Sequence, residues 1–347
     1  MIRNLKRLEL PQVLLDAAFL RGRKRAAEYP EQRTYFYTMK GSEISRIDAI
    51  SDYLLEKLDG AVKEFPSIEH LDPFYRDLFY CILDVDATRK NLSSISSVAG
   101  LLRNVKKISL VQLKELRFGQ NAKAVARDAT KKFIGRSASL IKGLEKNIIA
   151  YNKDVTALRE LPVINLNTES YILAGYPNAG KSTMMKRLTP SKPESAPYPF
   201  TTKGLNVGFT QVRHIPIQVI DTPGLLDRSI ASRNKIELKA ITALQHIRGT
   251  IVFIVDPFED ANTQIHLLKE IKKLFSEKPI IAVVNKTDIA DKEKVAEIKK
   301  ALEKTKIPSK VIEDGEGIDG LKKEIDAKRP DALDEKPVNV DAYNLEN

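Results

Sequence analysis

Up to about residue 160, apolar positions recur at helical spacing, strand-like alternation is absent, and Pro and Gly are sparse. This half is read as an all-α helical bundle. Its clearest register is Ile141, Leu144, Ile148, Tyr151, Val155 and Leu158, whose steps of three and four put one apolar stripe along a long helix. Pro11 and Pro73 stand at predicted helix starts, with Asp72 as N-cap for a helix carrying Phe74, Tyr75, Leu78, Phe79 and Ile82. After Pro162 the pattern changes. Short apolar runs at 171–174, 217–220, 251–255 and 280–284 end in Gly, Asp or Asn, and helical stretches separate most of them, as in a mostly parallel sheet wrapped by helices. Such α/β sheets bind ligands at the carboxyl ends of their strands. The expected organisation is a helical domain over 1–160, an α/β domain over 161–330, and an acidic, loosely ordered tail over 331–347, with a joint around Leu161–Asn167.

A length of 347 residues agrees with two domains. The formal net charge of +11 is uneven: residues 1–160 hold 29 basic and 20 acidic side chains, residues 161–347 hold 28 and 26. Within the first half, residues 28–86 are acidic (6 against 13) and residues 87–153 strongly basic (15 against 3). Nucleic acid, an anionic membrane surface, or a merely solvated helix face would each account for that stretch. The single cysteine, Cys81, excludes an internal disulfide and a CxxC zinc site, which favours a reduced, cytoplasmic setting. His70, His214, His246 and His266 fall singly, without metal-ligand spacing. The N-terminus lacks a signal-like apolar region, and the runs Ile251–Val255 and Ile280–Val284 fall far short of the ~20 residues of a membrane span, so no membrane partner is expected. Absence of Trp and abundance of charge lean towards a thermophile-like composition.

The chemistry lies in the second half. Residues 171–182, YILAGYPNAGKS, run from a predicted strand through Gly175-x4-Gly180-Lys181-Ser182 into a helix, the context a phosphate-binding loop requires. Backbone N–H groups of Tyr176, Asn178, Ala179, Gly180 and the helix start, including Thr183, would surround the phosphates. Pro177, between them, supplies no N–H and serves by shape alone. Lys181 would place its charge on the β and γ phosphates and Ser182 its hydroxyl on magnesium. Forty residues on, Asp221-Thr222-Pro223-Gly224 ends another strand, with Asp221 for the magnesium shell and the Gly224 N–H for the γ-phosphate. The strand at 280–284 delivers Asn285-Lys286-Thr287-Asp288, where the Asp288 carboxylate can accept from N1–H and N2–H₂ of guanine, a donor pair that adenine lacks. This order of motifs points to a P-loop GTPase using GTP, GDP and Mg²⁺.

Between the first two motifs, Tyr198-Pro199-Phe200-Thr201-Thr202-Lys203 occupies a switch-loop position; Thr202 is the first choice for magnesium and γ-phosphate and Thr201 the second. A Ser-Ala pair usual near guanine O6 is missing, leaving the backbone at Val311 and Ile312 for that contact. Leu225 follows the DTPG motif where many signalling GTPases carry a water-orienting Gln, so Lys181, Thr202 and Gly224 are the catalytic candidates and intrinsic turnover should be slow. Asn178 either helps hold a K⁺ ion that stabilises developing charge, or is an asparagine favoured by a tight loop.

The blocks GYPNAGKS (175–182), YPFTTKG (198–204), DTPGLLDRSIASRNKIELKAI (221–241) and DPFYRDL (72–78) resemble the Nog family of Obg-related GTPases, the nucleolar GTP-binding protein 1 type, in a short archaeal form. A Gly-rich N-terminal β domain, as in Obg itself, and a TGS domain are not read in the chain. The resemblance implies a GTP-hydrolysing factor in assembly of the large ribosomal subunit, monomeric when free, meeting a subunit precursor, ribosomal RNA and other assembly factors. It makes Arg103, Lys106, Lys107, Lys114, Arg117, Lys123, Arg127, Lys131, Lys132 and Arg136 candidate phosphate contacts that sense RNA shape, since no base-reading motif is visible. A nucleotide-gated signalling or membrane-surface switch, and an RNA-binding scaffold with little turnover, are the alternatives.

Overall fold

The computed structural model describes residues 5–189, 194–196, 198–199, 204–212, 215–230 and 233–311. Phe200, Thr201, Thr202, Lys203, Ile312 and the tail 331–347 lie outside the described residues. The described part falls into two compact units, one within Met1–His70 and Leu83–Arg159, the other within Leu71–Ile82 and Glu160–Asn347.

The first unit holds α1 (Pro11–Ala27), α2 (Tyr35–Glu64), α4 (Val85–Lys114), α5 (Ala122–Gly143) and α6 (Glu145–Arg159), and the second takes α3 (Pro73–Ile82). Pro11 opens α1, where its missing N–H leaves no helical bond unmade. Asp84 caps α4 by accepting from the Ala87 N–H at 3.0 Å. Helix α2 packs against α1, α4 and α5, and α6 against α4. Leu14, Ile47, Leu54, Ile95, Leu102 and Phe133 are fully buried between them.

The predicted stripe is buried at all six positions from Ile141 to Leu158. It does not lie on one helix, however, because α5 ends at Gly143 and Leu144 separates it from α6. Two backbone bonds bridge the break, from Leu144 N–H to the Ile141 carbonyl and from Ile148 N–H to the Leu144 carbonyl, so the apolar register continues across it. Gly143, a weak helix former, sits where the interruption falls.

The second unit is a seven-stranded sheet of order β2-β3-β4-β1-β5-β6-β7. Its strands are β1 (Ser170–Ala174), β2 (Glu194–Ala196), β3 (Leu205–Val212), β4 (Ile215–Asp221), β5 (Gly249–Val255), β6 (Ile280–Val284) and β7 (Ser309–Val311). Pairing is parallel from β4 through β1, β5 and β6 to β7, and antiparallel across β2, β3 and β4. The four apolar runs correspond to β1, β4, β5 and β6. Strand β3 has no such run, since it interleaves polar Asn206, Thr210 and Gln211 with Leu205, Val207 and Phe209, as antiparallel strands near a sheet edge do. Helices α7 (Lys181–Leu188), α8 (Lys235–Ala243), α9 (Ala261–Leu274) and α10 (Lys292–Glu303) belong to the same unit. Parallel register aligns Leu173 with Asp221, Ala174 with Phe253 and Val255 with Val284, so the carboxyl ends of β1, β4, β5 and β6 share one edge.

Helix α3 starts as expected at Pro73, with the Asp72 carbonyl accepting from Arg76 N–H at 2.9 Å. It packs on α8 and buries Phe74, Leu78 and Phe79. The Tyr75 hydroxyl accepts from Ile164 N–H at 3.0 Å and donates towards the Ile164 carbonyl at 3.2 Å. Residues 71–82 therefore belong with the sheet, although they sit inside the half read as one helical domain. The Leu161–Asn167 segment, expected as a joint, is tied down within this unit by Tyr75 and by Gln218, whose side-chain oxygen accepts from Asn165 N–H at 3.1 Å.

Candidate nucleotide-binding site

Strand β1 runs into the loop at Gly175, whose φ of +134° is open to glycine, and a Cβ there would lie 2.3 Å from the Ile254 carbonyl oxygen. Gly180 turns the loop into α7 at φ +97°, and a Cβ there would meet the Asn285 amide. Asn178 has φ +62° and is exposed, a left-handed position that asparagine tolerates better than most residues. That geometry satisfies the tight-loop explanation for Asn178.

Lys181 is buried, and its ammonium donates to the Gly175 and Tyr176 carbonyls at 2.7 Å each. Burial pulls its pKa below the ordinary lysine value, while the charges of Asp227 and Asp221 oppose that fall. The Ser182 hydroxyl donates to Asp221 Oδ2 at 2.6 Å, and the Asn206 amide reaches the same oxygen at 3.2 Å. Asp221 is fully buried, and its Oδ1 has no hydrogen-bond partner among the described residues. A carboxylate oxygen without a partner beside a serine hydroxyl is the oxygen donor set a magnesium ion takes up, so these residues fit the ion that P-loop GTPases use.

Thr222 is locked to β1 through its hydroxyl on the Leu173 carbonyl at 2.7 Å. Beyond it, the Gly224 N–H donates to Asp227 Oδ2 at 2.8 Å, so an internal carboxylate holds the group expected to meet the γ-phosphate. Arg233, its side chain 1% exposed, donates to the Leu225 carbonyl at 2.7 Å and pairs with Asp227 at 3.4 Å. Burial lowers the Arg233 pKa, the charge of Arg228 adds to the fall, and Asp227 opposes it. Leu225 and Leu226 are buried, and neither can orient water. Asp227 and Arg233 fall within the block 221–241 that carries the family resemblance, but nothing in their spacing assigns them this role. The capping box that opens α8, Asn234 with Glu237, does have one in its Asn-x-x-Glu spacing.

On the base side, the Asn285 amide donates to the Ala179 carbonyl at 2.9 Å and braces the phosphate loop. Lys286, at φ +58°, pairs with Asp256 at 2.7 Å. Asp256 is buried at the end of β5, and its backbone is clasped by the Gln264 side chain. Sequence reasoning missed Asp256, although an Asp closing a buried parallel strand was its available sign. Asp288 is exposed at the rim, and Val311 ends β7, which pairs with β6. The loop, Asp221, Gly224, Asn285 and Lys286 thus converge on one edge of the sheet.

The basic candidates divide by partner. Arg103 pairs with Asp59, Lys106 with Asp48 (2.9 Å) and Asp52 (2.7 Å), all on α2, and Lys132 with Asp128 (2.7 Å). Burial pulls the Lys106 ammonium down, but its bonds to Asp52 and Asp48 outweigh that and hold the pKa above 10.5. Lys107, Lys114, Arg117, Lys123, Arg127, Lys131 and Arg136 are exposed. Arg103, Lys106, Lys107, Leu110, Val111 and Lys114 line a groove of about 260 Å³ along α4. Among the described residues no cluster of three or more His, Cys, Asp or Glu could hold a metal ion, and no helix is long and apolar enough to cross a membrane.

Fold and site together define a P-loop GTPase domain preceded by a helical domain. Residues 170–286 match the family described as a 50S ribosome-binding GTPase, and residues 6–165 match the NOG1 N-terminal helical domain. The chain is 33% identical to the uncharacterised protein MJ1408 of Methanocaldococcus jannaschii, over 82% of this chain and 80% of that protein. It is also 33% identical to nucleolar GTP-binding protein 1 of Drosophila melanogaster (78% of this chain, 43% of that protein) and 34% identical to that of Saccharomyces cerevisiae (75% and 41%). The chain thus spans less than half the length of these eukaryotic relatives. It belongs to the Nog family, the nucleolar GTP-binding protein 1 type of GTPase.

Proposed function

We propose that the chain binds GTP with magnesium, hydrolyses it to GDP and phosphate, and acts as a nucleotide-controlled factor in assembly of the large ribosomal subunit, with its helical part against ribosomal RNA. The observation that carries the nucleotide half is the hydrogen bond from Ser182 to the buried Asp221 at the end of the phosphate loop, together with the Asn285-x-x-Asp288 motif. Lys181 leaves its two loop carbonyls for the β and γ phosphates, regaining an anionic partner for a charge that burial disfavours. Ser182 and Asp221, joined by Thr202, would hold the magnesium, which neutralises charge on the β and γ oxygens when bound. Asp288 would read guanine, with Val311 and Ile312 offering backbone to O6. Ribosomal partnership is supported by the 50S ribosome-binding description of the matched family and by the nucleolar name of the relatives.

With Leu225 buried, this chain provides no water-orienting side chain directly after the DTPG motif, and slow intrinsic hydrolysis follows. We place K⁺ near Asn178 as the accelerating ion, with the ribosomal particle as a second accelerator. Single-turnover hydrolysis in K⁺ and in Na⁺, with and without ribosomal particles, tests both. Equal rates in the two salts remove the cation role, and a negligible rate in every arm favours the scaffold reading. Asp288→Asn should shift preference from GTP towards xanthosine triphosphate; an unchanged preference would refute the base contact.

A further inference from the structure

The start of α2 and the loop between α4 and α5 meet in a cluster of exposed aromatic rings. Phe118, in that loop, is 84% exposed, and Tyr35 and Tyr37 in the first turn of α2 are 67% and 59% exposed. They are not scattered. Phe36, buried between them, contacts Phe118 edge-on at a ring-centroid distance of 5.6 Å and Tyr37 at 5.2 Å. Single exposed apolar side chains are ordinary, but Tyr37 and Phe118 are joined through one buried ring, and Tyr35 stands two residues from Tyr37 on the same turn, so three exposed rings gather in one region, which marks an interaction surface.

Cations frame the patch. Lys123 lies 5.3 Å over the Tyr35 ring and Lys40 lies 5.7 Å over Phe36. The Lys40 ammonium also donates to the Lys114 and Leu116 carbonyls at 2.6 and 3.0 Å, pinning the end of α4 and fixing the loop that carries Phe118. From Lys114 to Lys123 the chain has three basic residues and one acid, Glu115. Fixed aromatic faces surrounded by positive charge match unpaired nucleotides, whose bases stack on rings while phosphates meet lysine and arginine. A peptide of Asp and Glu alone would use the cations but brings no aromatic face to stack on the rings.

We propose that the Tyr35, Tyr37 and Phe118 cluster is a stacking platform for unpaired bases of RNA, with Lys114, Arg117 and Lys123 on the adjoining phosphates. This rests on the RNA-binding reading above and adds a base-contacting surface to what the sequence presents as recognition of RNA shape alone. Because Phe118 and Tyr37 are exposed, replacing them leaves the bundle folded, and unchanged helical circular dichroism and duplex binding serve as the check.

The test measures binding of the full chain to a short uridine-only RNA strand and to a short RNA duplex across a salt series. Phe118→Ala and Tyr37→Ala should each weaken strand binding about tenfold while leaving duplex binding and the salt slope unchanged. Lys107→Glu, away from the rings, should weaken both ligands and flatten the slope. Strand binding that survives both aromatic replacements overturns the platform while RNA binding stands. A wild-type chain that binds neither RNA overturns the platform and the RNA reading together. If the aromatic variants lose a poly-glutamate probe but keep RNA, the surface docks acidic protein and the proposal is overturned.

Discussion

Asp227 connects the parts of the phosphate site that the motifs leave separate. Its carboxylate holds the Gly224 N–H and is itself held by Arg233, and its charge acts on Lys181. A γ-phosphate approaching Gly224 must therefore displace one carboxylate oxygen, whereas GDP need not. Asp227→Ala should raise the ratio of GTP to GDP affinity about fivefold, the worth of one hydrogen bond near 1 kcal/mol. Nucleotide titration of both forms checks this, and a ratio equal to wild type means that the contact opens without cost. Arg233→Ala should act less cleanly, because it also empties a buried site beside Leu225.

At the scale of elements, α3 shows where reading the sequence stops. Its helical pattern, Pro73 start and apolar residues are legible because they follow from local backbone preference and a 3.6-residue period. Its allegiance is not, because an apolar face says that a helix must be covered without saying by which core. The same limit explains the break at Leu144, where the apolar spacing survives a change of helix. Strands β1, β5 and β6 were legible because parallel strands buried on both faces read as continuous apolar runs, β4 because only Gln218 breaks its run, and the phosphate loop because its chemistry is contiguous. The partners that Asp227, Arg233 and Asp256 take are set by tertiary approach, which spacing along the chain does not reveal. If α3 is part of the GTPase unit, Phe74→Ala should cost about 3–5 kcal/mol there. Hydrogen exchange would then rise in α8 and β4 and stay at the wild-type level in α2 and α4. The opposite distribution would assign α3 to the bundle.

For the whole molecule, net charge is a poor guide until its internal pairing is known. The acidic stretch 28–86 and the basic stretch 87–153 are largely α2 and α4 with their neighbours, and part of the surplus is spent between them through Arg103 with Asp59 and Lys106 with Asp48 and Asp52. The raised Lys106 pKa means that this bridge contributes stability below pH 10.5, and loses it as pH rises through the higher folded value. The positive field open to a polyanion comes instead from Lys107, Lys114, Arg117, Lys123, Arg127, Lys131 and Arg136, which are exposed. Lys123, Arg127 and Lys131 recur every fourth residue and share one face of α5. Charge reversal at Arg127 and Lys131 together should weaken binding to ribosomal RNA and reduce the magnitude of its log–log salt slope by about 1.4–1.8, the expectation for two lost phosphate contacts. Asp48→Asn with Asp52→Asn should do the reverse, freeing Lys106 and strengthening RNA binding at low salt while lowering the stability of the bundle. If both pairs of changes leave the salt slope at its wild-type value, the basic stretch is a solvated helix face and the RNA contact lies elsewhere.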